Sequence, residues 1–225
     1  MKNPKCKKDK KCDFGDEVKN TDVFYRVKLI KFCIRKGDYF MKLILNKKQY
    51  ENLSPQALSV YCALKQLMVS YENHCVCGTA KTLVYTLCQS MKCSRRMIDY
   101  IINAIDELEK KDLIKAVEVS GKTYVWDCSK LYVDTENEFF NAITSEEINK
   151  IFQIKGVDNF LLLKYFICVL STISTTINVK INVDYNKSNC VGNMTIDYIA
   201  TMCGIRANTA MEYNNLLEEN NLLYI

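Results

Sequence analysis

A pattern that occurs twice along the chain constrains the fold more than any other feature. The first copy spans residues 79–114 and the second spans residues 195–223. In each copy, a short apolar stretch begins at a threonine. After a break, a longer stretch carries apolar residues three or four positions apart, and a strand-like end follows. The spacing predicts a short helix, a turn, a longer helix and a strand. This order is typical of the helix-turn-helix, whose second helix can enter a DNA groove.

The residues around the first copy complete a small domain. Ser54 and Pro55 suit the N-cap and the first position of a helix that precedes the copy. Beyond the copy, residues 113–119 and 123–128 are rich in β-branched and aromatic side chains, and they predict a hairpin around Gly121. A hairpin in this place turns a helix-turn-helix into a winged helix.

We therefore predict a mainly α protein with small β-hairpins (α+β), arranged as two tandem winged-helix domains. Two prolines and seven glycines among 225 residues leave few breaks, which favours helices over a many-turned all-β fold. The length suffices for two cores of roughly 100 residues each. The expected parts are a disordered basic arm (1–22), a first domain (23–130) with a hairpin over 23–45 and a loop over 71–78, a linker with a short helix from Ser145 (131–156), and a second domain (157–225).

The second half departs from the first in its details. An apolar helix is expected to begin near Asp158, followed by a strand over residues 177–183 and a polar loop over residues 185–192. Residues 222–225 fit the first strand of a wing. The given sequence ends there, so we expect the second wing to be truncated.

The net charge of +5 is distributed unevenly. Residues 1–50 hold 15 Lys and Arg against 6 Asp and Glu, a net of +9. Residues 51–130 hold 10 against 9, a net of +1, and residues 131–225 hold 6 against 11, a net of −5. A basic front can neutralise phosphates, whereas an acidic rear is repelled by them. The second copy is therefore less suited to DNA than the first.

Twelve cysteines would indicate disulfides in a small secreted protein. However, the first residues lack the apolar stretch of a signal peptide, and several cysteines occupy apolar periodic positions, where a free thiol packs as a small hydrophobe. The longest apolar run, residues 160–173, contains Lys164 and is too short to span a bilayer. We expect a reducing, cytoplasmic location and no membrane partner.

The longer helix of the first copy carries the main expected DNA contacts. Its buried face is predicted to consist of Met97, Ile98, Ile101, Ile102, Ile105 and Leu108. Arg95 and Arg96 stand in the first turn, where a cation costs roughly 0.3–1 kcal/mol against the helix dipole. Phosphates or guanine edges would offset that cost. The expected contacts are Thr79, Lys81, Lys92, Ser94, Arg95, Arg96, Tyr100, Asn103 and Lys122, and in the second copy Arg206, Asn208 and Thr209.

Alternatives stay open for both copies. Arg95 and Arg96 could pair with Asp99 one turn later, and such surface pairs contribute little to stability. A surface lysine is most often simply solvated. In the second copy, Glu212 and Glu218 lie close to the polar positions. That copy could therefore serve dimerisation or partner binding instead of DNA binding.

We expect no enzyme, no cofactor and no metal site. His74 is the only histidine of the chain, which excludes a zinc site with several histidines. No motif of a serine triad surrounds His74. His74, Cys75 and Cys77 could bind a metal with Cys88 or Cys93, but the spacing fits no common zinc pattern. A glycine-rich phosphate loop is likewise missing from the sequence.

Three segments carry a resemblance to a known family: residues 53–64 (Leu-Ser-Pro-Gln-Ala-Leu-Ser-Val-Tyr-Cys-Ala-Leu), Ser94-Arg95-Arg96, and residues 108–114 (Leu-Glu-Lys-Lys-Asp-Leu-Ile). Residues 39–128 thereby resemble the N-terminal winged-helix domain of plasmid and phage replication initiators of low-GC Gram-positive bacteria, and of related DnaD-type primosomal proteins. The resemblance implies sequence-specific binding of double-stranded DNA at origin repeats and recruitment of helicase or primosome proteins. A transcription regulator that binds a palindrome as a dimer, and a protein-interaction module, are the alternatives.

Overall fold

The structure, a computed structural model, describes residues 42–68, 74–133, 138, 140–180 and 195–223. The described chain is mainly helical with two small antiparallel sheets, which confirms the expected α+β class. The expected basic arm lies outside the described residues. The elements are β1 (Lys42–Asn46), α1 (Lys47–Tyr50), α2 (Pro55–Met68), β2 (Cys75–Gly78), α3 (Ala80–Cys88), α4 (Arg95–Lys110), β3 (Lys115–Ser120), β4 (Thr123–Asp127), a 3-10 turn (Ser129–Leu131), β5 (Phe140–Thr144), α5 (Ser145–Gln153), α6 (Asn159–Lys180), α7 (Ile196–Cys203) and α8 (Ala207–Glu219).

Hydroxyl caps set the starts of three predicted helices. The side-chain oxygens of Ser54, Thr79 and Ser94 each accept the backbone N–H three residues later, at 3.1, 3.2 and 3.1 Å. Each cap satisfies a donor that the first turn of a helix leaves unpaired, and is worth about 1 kcal/mol. The predicted starts of α2, α3 and α4 are therefore confirmed.

A three-stranded sheet follows the order β2-β4-β3. β3 and β4 form the predicted hairpin, and Gly121 supplies the positive φ of its turn. β2 lies on the other side of β4, where Val76 is paired with Trp126 and both are fully buried. The loop predicted over residues 71–78 is therefore wrong for Cys75–Gly78. Four residues are too few to show a strand pattern, and the strand that pairs with them lies far along the chain.

A two-stranded sheet joins distant parts of the chain. β1, which overlaps the strand expected at the end of the 23–45 hairpin, pairs antiparallel with β5, and Leu43 is opposite Ile143 in the buried core. The partner expected for β1, residues 23–34, lies outside the described residues. β5 lies in the segment predicted as a linker, where only a helix was expected. That helix, α5, begins at Ser145 as predicted.

The second half starts and ends differently from the sequence expectation. The carboxylate of Asp158 accepts the N–H groups of the first turn of α6, which confirms the predicted start. α6 continues to Lys180, so the strand predicted over residues 177–183 is wrong for residues 177–180. Adding residues to an existing helix costs little, and a short β-branched run does not stop it. Leu222 and Leu223 do not form the expected strand, because their N–H groups bond to Leu217 at the end of α8. The expected loop over 185–192 lies outside the described residues.

The helices of both halves contribute to one buried apolar cluster. α6 packs against α2, and the Nζ of Lys164 on α6 donates to the carbonyl of Leu53 at 3.0 Å. The hydroxyl of Tyr165 donates to the Oδ1 of Asn214 on α8 at 2.7 Å. α6 therefore connects the two copies of the repeated pattern, while the division into two domains stays a prediction. Within the described ranges, none of the helices has the combined length and apolarity needed to cross a membrane.

Burial of Lys65 in α2 predicts a pH dependence of stability. The side chain is 8% exposed, its ammonium donates to the carbonyl of Leu131, and burial lowers its pKa to about 8. An unfolded lysine keeps its proton up to about pH 10. Between about pH 8 and pH 10 the unfolded state therefore holds more protons than the folded state, and this group makes the free energy of unfolding rise with pH.

The contribution of Lys65 is measured as the difference between the wild type and a Lys65 variant. This is needed because burial raises the pKa of Cys62, so that thiol makes the free energy of unfolding fall as the pH rises. Urea unfolding gives the free energy of unfolding of the wild type and of Lys65→Met. Between about pH 8 and pH 9.5, the value for the wild type should rise relative to that of the variant by about 1–2 kcal/mol. A difference in the free energy of unfolding that stays constant over this interval would contradict the buried position of the ammonium.

Candidate nucleic-acid interface

Helix α4 has one buried side and one exposed side. Its buried residues are Ile101, Ala104, Ile105 and Leu108. α2 and α3 both pack against this helix. Of the six residues predicted for the buried side, Ile102 is the exception, since 40% of it is exposed. α2 and α3 cover a narrower part of the α4 surface than the spacing of the apolar residues predicted, and Ile102 lies outside the covered part.

Two carboxylates fix the far end of α4 against the rest of the first half. The Oε1 of Glu107 accepts the N–H of Ser54, at the start of α2, at 2.9 Å. Burial raises the pKa of Glu107, but its hydrogen bonds with Ser54 and the nearby Lys111 outweigh that effect and leave the pKa below its usual value. The Oε1 of Glu109 accepts the N–H of Ala116 in β3 at 3.2 Å. α4 is thus held at a set angle to both α2 and the sheet.

Arg95 and Arg96 are exposed at the start of α4. Neither forms an ion pair with any residue that the structure describes, so the alternative pairing with Asp99 is not observed. The Nε of Arg96 instead donates to the hydroxyl of Tyr100 at 2.6 Å, and its guanidinium lies 5.3 Å from the centre of that ring. Two positive charges therefore stand at the positive end of a helix dipole without an ion pair among the described residues.

Tyr100 connects this site to the second half of the chain. Its ring is half-buried and meets Phe160 of α6 edge to face, with the ring centres 6.1 Å apart. Phe160 in turn meets Phe152 of α5, with the centres 5.4 Å apart. Tyr100 was expected to contact DNA, and its hydroxyl and one edge of its ring are occupied by protein contacts. The contacts of Tyr100 therefore link Arg96 to α6.

Five side chains share the exposed stripe along α4. Each lies three or four residues from another member of the set, so they project from one side of the helix: Arg95, Asp99, Ile102, Asn103 and Asp106. Arg95, Asp99 and Asn103 were expected on the exposed side of the helix, and Ile102 and Asp106 were not. Ile102 was assigned to the core by its apolar character. The spacing of Asp106 from Asp99 and Asn103 was the signal that could have placed it on the same stripe.

The residues expected to support DNA binding beside Arg95 and Arg96 differ in whether their side chains already form hydrogen bonds within the protein. Lys81 on α3, Lys92 before α4 and Lys122 in the turn between β3 and β4 are all exposed. The hydroxyls of Thr79 and Ser94 accept the capping hydrogen bonds of α3 and α4. The three lysines can therefore reach a ligand freely, whereas the two hydroxyls already serve the helix ends.

The corresponding surface of the second copy has a different charge. Arg206 is the N-cap of α8, makes no side-chain capping bond and is exposed, and Asn208 beside it is exposed as well. Thr209 is half-buried. The exposed carboxylates of this helix are those of Glu212, Glu218 and Glu219. α8 thus presents one cation against three anions.

Other chemistry is limited in the part of the chain that the structure describes. No group of three or more potential metal ligands occurs there, and the rings of His74 and Tyr132 form a T-shaped pair with their centres 6.0 Å apart. The eight described cysteines are free thiols. A cavity of about 240 Å³ between the two halves is lined by Lys47, Tyr50, Glu51, Asn52, Leu58, Lys164, Cys168 and Met202.

Comparisons of this chain with protein-family models, with curated proteins and with solved structures found no match.

Proposed function

We propose that this chain binds double-stranded DNA sequence-specifically, with α4 lying in the major groove. The observation that carries this proposal is the pair Arg95 and Arg96, exposed at the start of α4 with no acidic partner among the described residues. Cations at a helix N-terminus are unfavourable by themselves, and a polyanion offsets that cost. Recognition helices commonly meet base edges through their first residues.

The order of the surrounding elements supports the same proposal. β2, α3, α4, β3 and β4 follow one another with the sheet order β2-β4-β3, which fits a winged helix whose wing is the β3–β4 hairpin. Lys122 in the wing turn and Lys92 before α4 are exposed and suited to phosphates. We propose that α4 reads the site while these lysines hold the backbone.

A second role is proposed for the other copy of the pattern. Three exposed carboxylates on α8 disfavour phosphates, so we propose that α7 and α8 bind protein. The partner would be a second copy of the chain or a helicase or primosome protein. Together with the resemblance of residues 39–128 to replication initiators, this division supports an initiator that binds origin repeats. A transcription regulator is the alternative.

A mobility-shift titration of the full chain against the DNA that flanks its own gene tests the proposal. At low salt we expect binding that weakens steeply as salt rises, with a logarithmic slope near −0.9 for each phosphate contacted. Protection of direct repeats supports an initiator, and protection of a palindrome by a dimer supports a regulator. If the chain does not bind duplex DNA at either low or high salt, a protein-interaction module is the function that remains.

Tyr100→Phe tests the way in which Arg96 is held. The variant loses the hydroxyl that accepts the Nε of Arg96 but keeps the ring against Phe160. Arg96 then has more conformations to lose on binding, and we expect duplex affinity to fall about two- to fivefold. The free energy of unfolding should change by less than about 1 kcal/mol. Fluorescence anisotropy and urea unfolding measure the two quantities, and an unchanged affinity would contradict the positioning role.

A further inference from the structure

The middle of the exposed stripe on α4 has a composition that phosphate binding does not explain. Asp99, Ile102, Asn103 and Asp106 follow Arg95 along the same side of the helix, and the stretch from Asp99 to Asp106 covers about 10 Å. Asp99 and Asp106 form no ion pair with any residue in the described ranges. Ile102 stands between them with 40% of its surface exposed.

The two carboxylates and the isoleucine are unfavourable beside a phosphate, and each of the four side chains is suited to one kind of base edge. A carboxylate is repelled by phosphates but accepts the amino group at N4 of cytosine. An isoleucine gains from apolar contact, and the thymine methyl group is the apolar feature of the major groove. Asparagine forms a paired hydrogen bond with N6 and N7 of adenine. The four residues together therefore match base edges rather than the sugar-phosphate backbone.

We infer that this stripe determines which DNA sequence the chain binds, with Asp99 and Asp106 selecting cytosine and with Ile102 and Asn103 selecting thymine and adenine. This inference rests on the proposed binding of duplex DNA through α4. The two carboxylates also lower the affinity for every sequence that does not offer them an amino group, because they remain unpaired near the phosphates. Discrimination thus arises from a cost at wrong sites as well as from contacts at the right one.

The assignment separates two tasks along one surface. Arg95, Lys92 and Lys122 supply charge that attracts any duplex. The carboxylate pair and Ile102 add little affinity of their own and act on the difference between sequences. Replacing a carboxylate with its amide should therefore strengthen binding to unrelated DNA while it weakens discrimination.

Selection from a pool of duplexes with a randomised centre tests the inference on the full chain. The wild type, Asp99→Asn, Asp106→Asn and Ile102→Ala are compared, and the affinity of each for its selected duplex and for unselected duplex is measured. We expect each Asn variant to lose the cytosine preference at one position and to lose about fivefold or more in the ratio of the two affinities. Ile102→Ala should lose a thymine preference.

Glu146→Gln on α5 is the matched control. Glu146 is exposed and pairs with Lys150 at 3.1 Å, and its replacement changes the net charge by the same amount as Asp99→Asn. We expect this variant to select the wild-type sequence with the wild-type ratio. If it matches the Asn variants, general charge rather than base contact explains their behaviour, and the inference is overturned.

The failure of the inference is distinguishable from the failure of the proposed function. If the wild type binds duplex DNA with a steep salt dependence, but Asp99→Asn and Asp106→Asn select the same sequence with the same ratio, only the inference is overturned. If the wild type has no affinity for duplex DNA at low salt, the proposed function fails and the inference fails with it.

Discussion

Replacing Arg95 and Arg96 together with alanine is expected to lower the affinity for duplex DNA about 10- to 100-fold at low salt. Both side chains are exposed at the start of α4 without an acidic partner among the described residues. Their loss removes two cations from the proposed interface. The logarithmic slope of affinity against salt should therefore flatten by about one to two units.

The matched control removes two cations from another part of the surface. Lys150 on α5 and Lys155 after it are exposed, and their double alanine variant has the same net charge as the arginine variant. We expect it to keep the affinity within about twofold and to keep the salt slope, since neither lysine lies on α4 or in the turn around Lys122. Equal losses in both double variants would show that net charge, and not α4, governs binding.

Phe160→Ala is expected to lower the free energy of unfolding by about 3–5 kcal/mol. Phe160 is 6% exposed, and its ring meets Tyr100 of α4 and Phe152 of α5 edge to face. Truncation leaves a cavity where α6 meets the first half of the chain. Because both halves contribute to one buried cluster, the loss should appear in a single cooperative unfolding transition.

Urea unfolding of Phe160→Ala, followed by both tryptophan fluorescence and circular dichroism, measures this loss. Met91→Ala is the control, since 79% of Met91 is exposed and its truncation should cost less than about 0.5 kcal/mol. Two separate transitions, of which only one responds to Phe160→Ala, would contradict the shared core and favour two independent domains.

The local parts of this fold could be predicted from the sequence. The caps at Ser54, Thr79 and Ser94, the amphipathic spacing of α4 and the hairpin around Gly121 each depend on residues within a few positions of one another. Such patterns act through backbone hydrogen bonds of neighbouring residues, so they are visible without knowledge of the rest of the chain.

The predictions that were wrong concern elements whose structure depends on partners far along the chain. β2 and β5 are strands because β4 and β1 pair with them, and neither shows a clear alternation of its own. The exposure of Ile102 and the contact between Tyr100 and Phe160 follow from how far α2, α3 and α6 extend around α4. The candidate surface was therefore found from its arginines and its residue spacing, whereas the exposure of Ile102 required the packed structure.

An NMR titration of the full chain with a duplex that it selects tests directly whether α4 binds DNA. We expect backbone amide signals to change most at Arg95, Ile102, Asn103 and the wing turn around Lys122. Signals from the acidic end of α8, near Glu218, should change little. Large changes confined to α8, with α4 unaffected at saturating duplex, would overturn the assignment of α4 as the DNA-binding helix.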